Sequence, residues 1–193
     1  GQALAWQTPT TPRFTRLAGH ETTLDGEASC AALAVRTKCL WEYDGMMKVE
    51  MDLAPAGDGK VDELVLVIPV KASVATLMHS TTATRSNPSM EIPAGQGVVW
   101  DSRAMVQTIG KGSFTPCIWI GGVERGVCWF ADSDRGWITD DDEPAIAIER
   151  AGDAVNLRVR FINKSAVVKA PRQIVFGLIA TPVKPIPAES RAW

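Results

Sequence analysis

Between residues 47 and 53 the chain alternates with a period of two. Met47, Val49, Met51 and Leu53 fall between Lys48, Glu50 and Asp52. Successive side chains of an extended strand point to opposite faces, so this stretch reads as a strand with one buried and one wet face. The pattern recurs. Ile146 and Ile148 share one face after Pro144, and Ala151-Gly152-Asp153 turns the chain into Leu157, Val159 and Phe161, which alternate with Arg158 and Arg160. That is a hairpin signal. Val98 to Asp101 and Thr115 to Gly121 are short strand candidates, and Arg172 to Thr181 is a last, mostly apolar strand. Leu64 to Val70 is apolar on both faces and reads as a central strand covered on both sides, with Pro69 near its end because proline cannot donate to a ladder. No segment carries a sustained helical repeat; Ser29 to Val35 is the one place where a single helical turn fits. Many short strands divided by Gly/Pro turns predict an all-β, antiparallel two-sheet β-sandwich with little helix.

The 193 residues suit one such domain. Residues 1–30, with the Gln7 to Pro12 stretch QTPTTP, read as an irregular N-terminal arm, and 31–187 as a single β-sandwich. Ser80 to Gly97 is polar and contains Pro and Gly, which predicts a long loop. The formal net charge is −2 and the charges are interspersed, which argues against a nucleic-acid-binding stripe or a polybasic membrane patch. No apolar run reaches the roughly 18 residues that a membrane-spanning helix needs.

The segment from Cys117 to Trp137 (CIWIGGVERGVCWFADSDRGW) carries the most information. Two apolar runs flank Gly122-Val123-Glu124-Arg125, and the surrounding glycines provide positive-φ freedom at a tight turn. Symmetric pairing sets Cys117 opposite Cys128. Cys117, Trp119, Cys128 and Phe130 then share one face, and Ile118, Ile120, Val127 and Trp129 the other. Both faces are apolar, so the hairpin is expected inside the fold with Trp119 and Trp129 in the core. The two cysteines either form a disulfide in an oxidising compartment or stand as buried thiols; the second is favoured because directly opposed strand positions present poor disulfide geometry. A zinc site is not indicated, since none of Cys30, Cys39, Cys117 and Cys128 stands in a C-x-x-C pair and both histidines are remote. No cofactor is implied.

The turn after the hairpin differs in chemistry. Asp132, Asp134, Arg135 and Trp137 combine carboxylates, a guanidinium and an indole. Such a mixture suits a sugar, whose apolar C–H face packs on an aromatic ring while charged groups hydrogen-bond its hydroxyls, and the same four residues are equally the candidate contact with another domain. The competing structural reading has Asp132 or Asp134 paired with Arg135 to brace the turn, and Trp137 lidding the core. Asp132, Asp134 and Glu143 also stand at positions 1, 3 and 12 of a calcium loop, but Gly136 falls at position 5, where an oxygen ligand is required. No spacing among the carboxylates favours a catalytic pair, and no catalytic residue is assigned.

Phe114 to Trp137 resembles the pattern F-x-P-x-x-W-x-G-x-x-x-R-G-x-x-W-F-A-x-x-D-x-G-W of the β-sandwich domain that precedes the barrel in family-123-type glycoside hydrolases and their uncharacterised bacterial relatives. Tyr43-Asp44-Gly45-Met46 leading to Leu53-Ala54-Pro55, and Arg172 to Pro187, are similar to that domain's opening and closing strands. The resemblance implies a sandwich of ordinary size or one enlarged into a galactose-mutarotase-like supersandwich. It implies a secreted or periplasmic parent acting on glycosides, typically ones containing N-acetylgalactosamine. Residues 188–193 then begin a linker to a C-terminal catalytic barrel, the expected partner, and the barrel holds the catalytic carboxylates. Three functions follow in order of preference. The first is a non-catalytic accessory domain packed on the barrel, which predicts an exposed apolar patch. The second is an independent carbohydrate-binding module, and the third a stand-alone hydrolase.

Overall fold

The computed structural model describes residues 3–8, 11–81, 89–103 and 114–185. Their strands are β1 (Arg13–Leu17), β2 (Glu21–Ser29), β3 (Leu33–Glu42), β4 (Met46–Pro55), β5 (Lys60–Val61), β6 (Leu64–Lys71), β7 (Leu77–Ser80) and β8 (Ser89–Glu91). They continue as β9 (Gly97–Asp101), β10 (Cys117–Gly121), β11 (Gly126–Phe130), β12 (Ile146–Ala151), β13 (Ala154–Ile162), β14 (Ala166–Val167) and β15 (Arg172–Thr181). The described residues contain no α-helix. A nine-stranded sheet runs β1-β2-β3-β4-β15-β11-β10-β7-β8, a four-stranded sheet β6-β13-β12-β9, and β14 pairs with β5. Every strand pairing is antiparallel.

The two larger sheets close face to face on one apolar cluster. The long sheet supplies Val49, Met51, Leu53, Ile118, Ile120, Trp129, Ile174 and Phe176, and the short one Ile146, Ile148, Val155, Leu157, Val159 and Phe161. This is the two-layer sandwich that the alternation predicts, since each strand offers one apolar face and needs a second sheet to bury it. A smaller cluster of Ala32, Leu33, Val61, Ile162 and Val168 lies under the β5–β14 pair.

Several elements differ from the sequence reading. Residues 13–29, expected in an irregular arm, form β1 and β2, and Gln7 exchanges backbone hydrogen bonds with Ser29 (2.7 and 2.9 Å). The single helical turn at Ser29 to Val35 is instead the end of β2, a short turn and the start of β3. β6 is an edge strand, paired to β13 alone, rather than a central one. Its Leu64, Leu66, Ile68 and Val70 meet the core, whereas Val67 on the alternate face is exposed. Edge placement accounts for Pro69 inside the strand, where a lost donor is tolerated. Within the expected loop from Ser80 to Gly97, residues 89–91 form β8 and 82–88 lie outside the described residues.

The long sheet extends beyond the short one. Across β1, β2 and β3 the registers Phe14↔Leu24↔Cys39 and Leu17↔Thr22↔Trp41 continue the rows that bury Val49 and Phe176 further along the same face. Phe14 is 61% exposed, Leu17 74% and Trp41 42%. Every charged residue of these three strands, from Arg13 through Glu42, alternates onto the opposite face, where Arg16 pairs with Glu21 (2.6 Å) and Arg36 with Glu27 (3.6 Å). The core-side face therefore carries apolar and uncharged residues past the point where the second sheet stops covering it.

Candidate functional site

The β10–β11 hairpin pairs Cys117 with Phe130, Ile118 with Trp129, Trp119 with Cys128 and Gly121 with Gly126. The expected Cys117–Cys128 opposition is thus out by two residues. A two-residue slip preserves the faces while changing every partner, so the facial assignment stands. Only one face is core. Ile118, Ile120 and Trp129 are fully buried, whereas Cys117, Trp119, Cys128 and Phe130 lie half-buried on the outer side of the long sheet. Trp119 is accordingly an outer-face residue and not a core one; its indole Nε1 donates to Thr181 Oγ1 at 2.9 Å. The glycines flanking the turn do not adopt positive φ. Their role is steric: a Cβ on Gly121 or Gly126 would overlap the Trp119 ring, and one on Gly177 would overlap Phe130. Both aromatic rings therefore cover glycines on the outer surface of the sheet.

Beside Phe130 that surface sinks into an open groove of about 710 Å³. Its floor is Met46, Phe130, Val175 and Gly177, from β4, β11 and β15, and the loop from Ala131 to Gly136 forms one rim. The volume falls within the range usual for ligand pockets. Most polar side chains around it already have protein partners. Lys48 Nζ donates to Glu50 Oε1 (2.7 Å), a bond that is the main cause holding the Glu50 carboxyl below its ordinary range. Gln173 Nε2 donates to Asp52 Oδ1 (3.1 Å), and Arg172 Nη1 donates to the carbonyls of Gly136 and Trp137 (3.4 and 3.3 Å). Asp132 and Arg135 line the same groove, and among the described residues neither side chain is engaged in a hydrogen bond or ion pair.

The four residues singled out at this turn are divided by the fold. Asp132 and Arg135 reach the groove. Asp134 is exposed and contributes its backbone carbonyl to the Trp137 amide at 3.0 Å. Trp137 is 7% exposed and sits in the core, ring centroid 5.5 Å from Phe114, 6.0 Å from Trp129 and 5.0 Å from Phe161. It has no free face to stack on a sugar, so of the two readings of Trp137 the structure matches the lid on the core and not the contact residue. Arg135 forms no ion pair with either aspartate; its amide N–H donates to Ser133 Oγ at 3.4 Å. Lys48, Phe130 and Gln173 were missed by sequence reasoning, because only the register Phe130↔Gly177↔Lys48 brings them beside the turn.

The three calcium-loop positions are also separated by the fold. Asp132, Asp134 and Glu143 do not converge, and no cluster of three His, Cys, Asp or Glu suited to a metal occurs among the described residues. After Trp137 the chain crosses to the other sheet, where Ile138 bridges Ile162 and its amide donates to the Phe161 carbonyl at 2.9 Å. That crossing separates Glu143 from the two aspartates. Glu143 lines a smaller cleft of about 270 Å³ with Asp62, Glu63, Pro144, Arg160 and Asn163. There Glu63 pairs with Arg160 (2.7 Å), and Asp62 accepts from Ser165 (2.7 Å). Asp140 caps its own turn: its carboxyl accepts from the Asp142 amide (3.1 Å), which with Lys164 holds it below the usual carboxylate range.

No protein-family model matches the chain, and no curated protein matches it. Among solved structures, a galactose mutarotase related enzyme from Lactobacillus acidophilus is similar over 91% of this chain and 74% of its own, with 5% identity and a TM-score of 0.39.

Proposed function

We propose that this chain is a non-catalytic accessory β-sandwich of a larger, secreted or periplasmic carbohydrate-active protein, a glycoside hydrolase, and that it packs against that protein's catalytic barrel. The resemblance of residues 114–137 motivates the parent. The uncovered core-side face of β1–β3 carries the docking role. Phe14, Leu17 and Trp41 extend the core's own rows into solvent, while all the charge of these strands sits on the reverse side. A contiguous apolar face of this kind is a usual mark of an interaction surface. In the parent protein, Leu17→Asp combined with Trp41→Asp is expected to undock the two domains. Small-angle scattering should show an increased radius of gyration, with the β-sheet circular dichroism unchanged. An unchanged radius, or a parent coding sequence that specifies no second domain, would overturn the reading.

A second reading is favoured by the groove. The Phe130 ring covers Gly177, and Asp132 and Arg135 hold unspent hydrogen-bonding capacity at its rim. An aromatic floor with a charged rim is the arrangement a pyranose uses. If this domain binds glycan by itself, calorimetric titration against a panel of N-acetylgalactosamine-containing oligosaccharides gives heat with the wild type. Arg135→Ala then weakens binding by roughly tenfold, the worth of one hydrogen bond to a charged group. A wild-type protein silent across the panel rules this reading out.

A further inference from the structure

Two cysteines on one face of a hairpin stand closer than any packing need requires. Cys117 Sγ and Cys128 Sγ are 3.2 Å apart, reached diagonally between the Cys117↔Phe130 and Trp119↔Cys128 pairs. Neither is in the core: both are half-buried on the outer side of the long sheet. Among the described residues the other two cysteines have no such neighbour. Cys39 is on the core-side face, and Cys30 lies beside the small cluster beneath β5 and β14.

The geometry points to Cys117 and Cys128 as a thiol–disulfide exchange site, closing to an intramolecular cross-strand disulfide on reaction with a low-molecular-weight disulfide.

The local chemistry gives the two sulfurs different roles. The attacking species in exchange is the thiolate. The two sulfurs share one hydrogen bond in which either can be the donor, and Cys128 Sγ also lies 3.6 Å from the Trp129 carbonyl. That shared bond, opposed by burial and aided by Thr81, brings the Cys117 thiol down to about 7. The same bond, together with burial, pushes Cys128 up. Cys39, by contrast, is raised by burial and by Asp25. Cys117 is therefore the nucleophile. Its thiolate attacks one sulfur of the small disulfide, a new S–S bond forms, and the other half leaves as a thiolate. Cys128 then surrenders its proton to solvent and attacks the Cys117 sulfur, expelling the second half. The protein loses two hydrogens and two electrons, and the small disulfide is reduced to two thiols. Closure needs the sulfurs to approach from 3.2 Å to bonding distance, about 2.05 Å.

The test uses the native, fully reduced chain incubated with glutathione disulfide at neutral pH, then alkylated, digested and mapped by mass spectrometry. Two of the four thiols are expected to disappear, with a single cross-linked peptide joining Cys117 to Cys128 and with Cys30 and Cys39 alkylated. Cys128→Ser is expected to trap glutathione on Cys117 as a mixed disulfide. Cys117→Ser is expected to leave Cys128 at least tenfold less modified at the same time point. Absence of the Cys117–Cys128 peptide in the wild type overturns the inference, as does oxidation that instead joins Cys30, Cys39 or two chains. The wild-type map decides the matter even if a variant fails to fold.

Discussion

Trp137→Ala is expected to cost about 3–5 kcal/mol of folding stability, the usual range for deleting a buried tryptophan ring. The ring is wedged edge-on against Phe114 and Phe161 and tilted against Trp129, so its removal opens a cavity that three aromatic neighbours border. With a total stability of about 5–15 kcal/mol for an ordinary domain, the loss is a large share of what holds the fold. For a chain of this size it should lower Tm by roughly 6–20 °C. Thermal denaturation followed by circular dichroism measures it. Trp137→Phe separates packing from polarity. The Trp137 Nε1 is buried with no acceptor among the described residues, and phenylalanine removes that donor while keeping an aromatic ring. It should therefore cost much less than alanine. A Trp137→Ala protein with unchanged Tm would contradict the core placement and favour the sugar-contact reading of this residue instead.

The second large effect is expected at the neighbouring position. Gly136 has φ of +88°, a left-handed backbone that costs an alanine about 1–2 kcal/mol. Any Cβ there also overlaps the Gln173 carbonyl, which is backbone of β15 and cannot rotate away. The two terms together predict a loss of roughly 3 kcal/mol for Gly136→Ala, within the range of mutations that strain a special backbone conformation. The consequence is local as well as global. Arg172 binds the Gly136 and Trp137 carbonyls, so a displaced loop carries Asp132 and Arg135 off the groove. Urea unfolding with an unchanged m-value and a lowered midpoint would bear this out. A midpoint equal to the wild type would show that the loop accommodates a side chain at this position.

These two neighbours also show where the sequence is informative and where it falls silent. β4, the β12–β13 hairpin and β15 announce themselves because strong hydrophobes alternate with charges. β2 does not: its core-side positions are Thr22, Leu24, Gly26 and Ala28, too weakly apolar to register a period of two. β6 misleads in the other direction, since Val65 and Val67 make both faces apolar although theirs is the outer face, with Val67 exposed, and the strand is an edge. The turn at Asp132 to Trp137 was legible as a place of mixed chemistry. Its division into two groove residues, one exposed aspartate and one core tryptophan was not, because that depends on where β15 lies against β11. Lys48 and Gln173 join the groove through the same long-range register.

The position of β15 has a consequence for how the chain assembles. Among the described residues it is the last strand in sequence, yet it lies between β4 and β11, in the interior of the nine-stranded sheet. Before it is placed, β1 to β4 can form a four-stranded meander and β7, β8, β10 and β11 a separate ladder, each ending in an unpaired edge. During synthesis the long sheet therefore cannot be completed until Arg172 to Thr181 has emerged from the ribosome. Pairing across such sequence distances is slow, and unfilled edges invite other chains. Nascent chains stalled before Arg172 should therefore be the form most prone to aggregate, and a peptide of the β15 sequence supplied in trans is their natural complement.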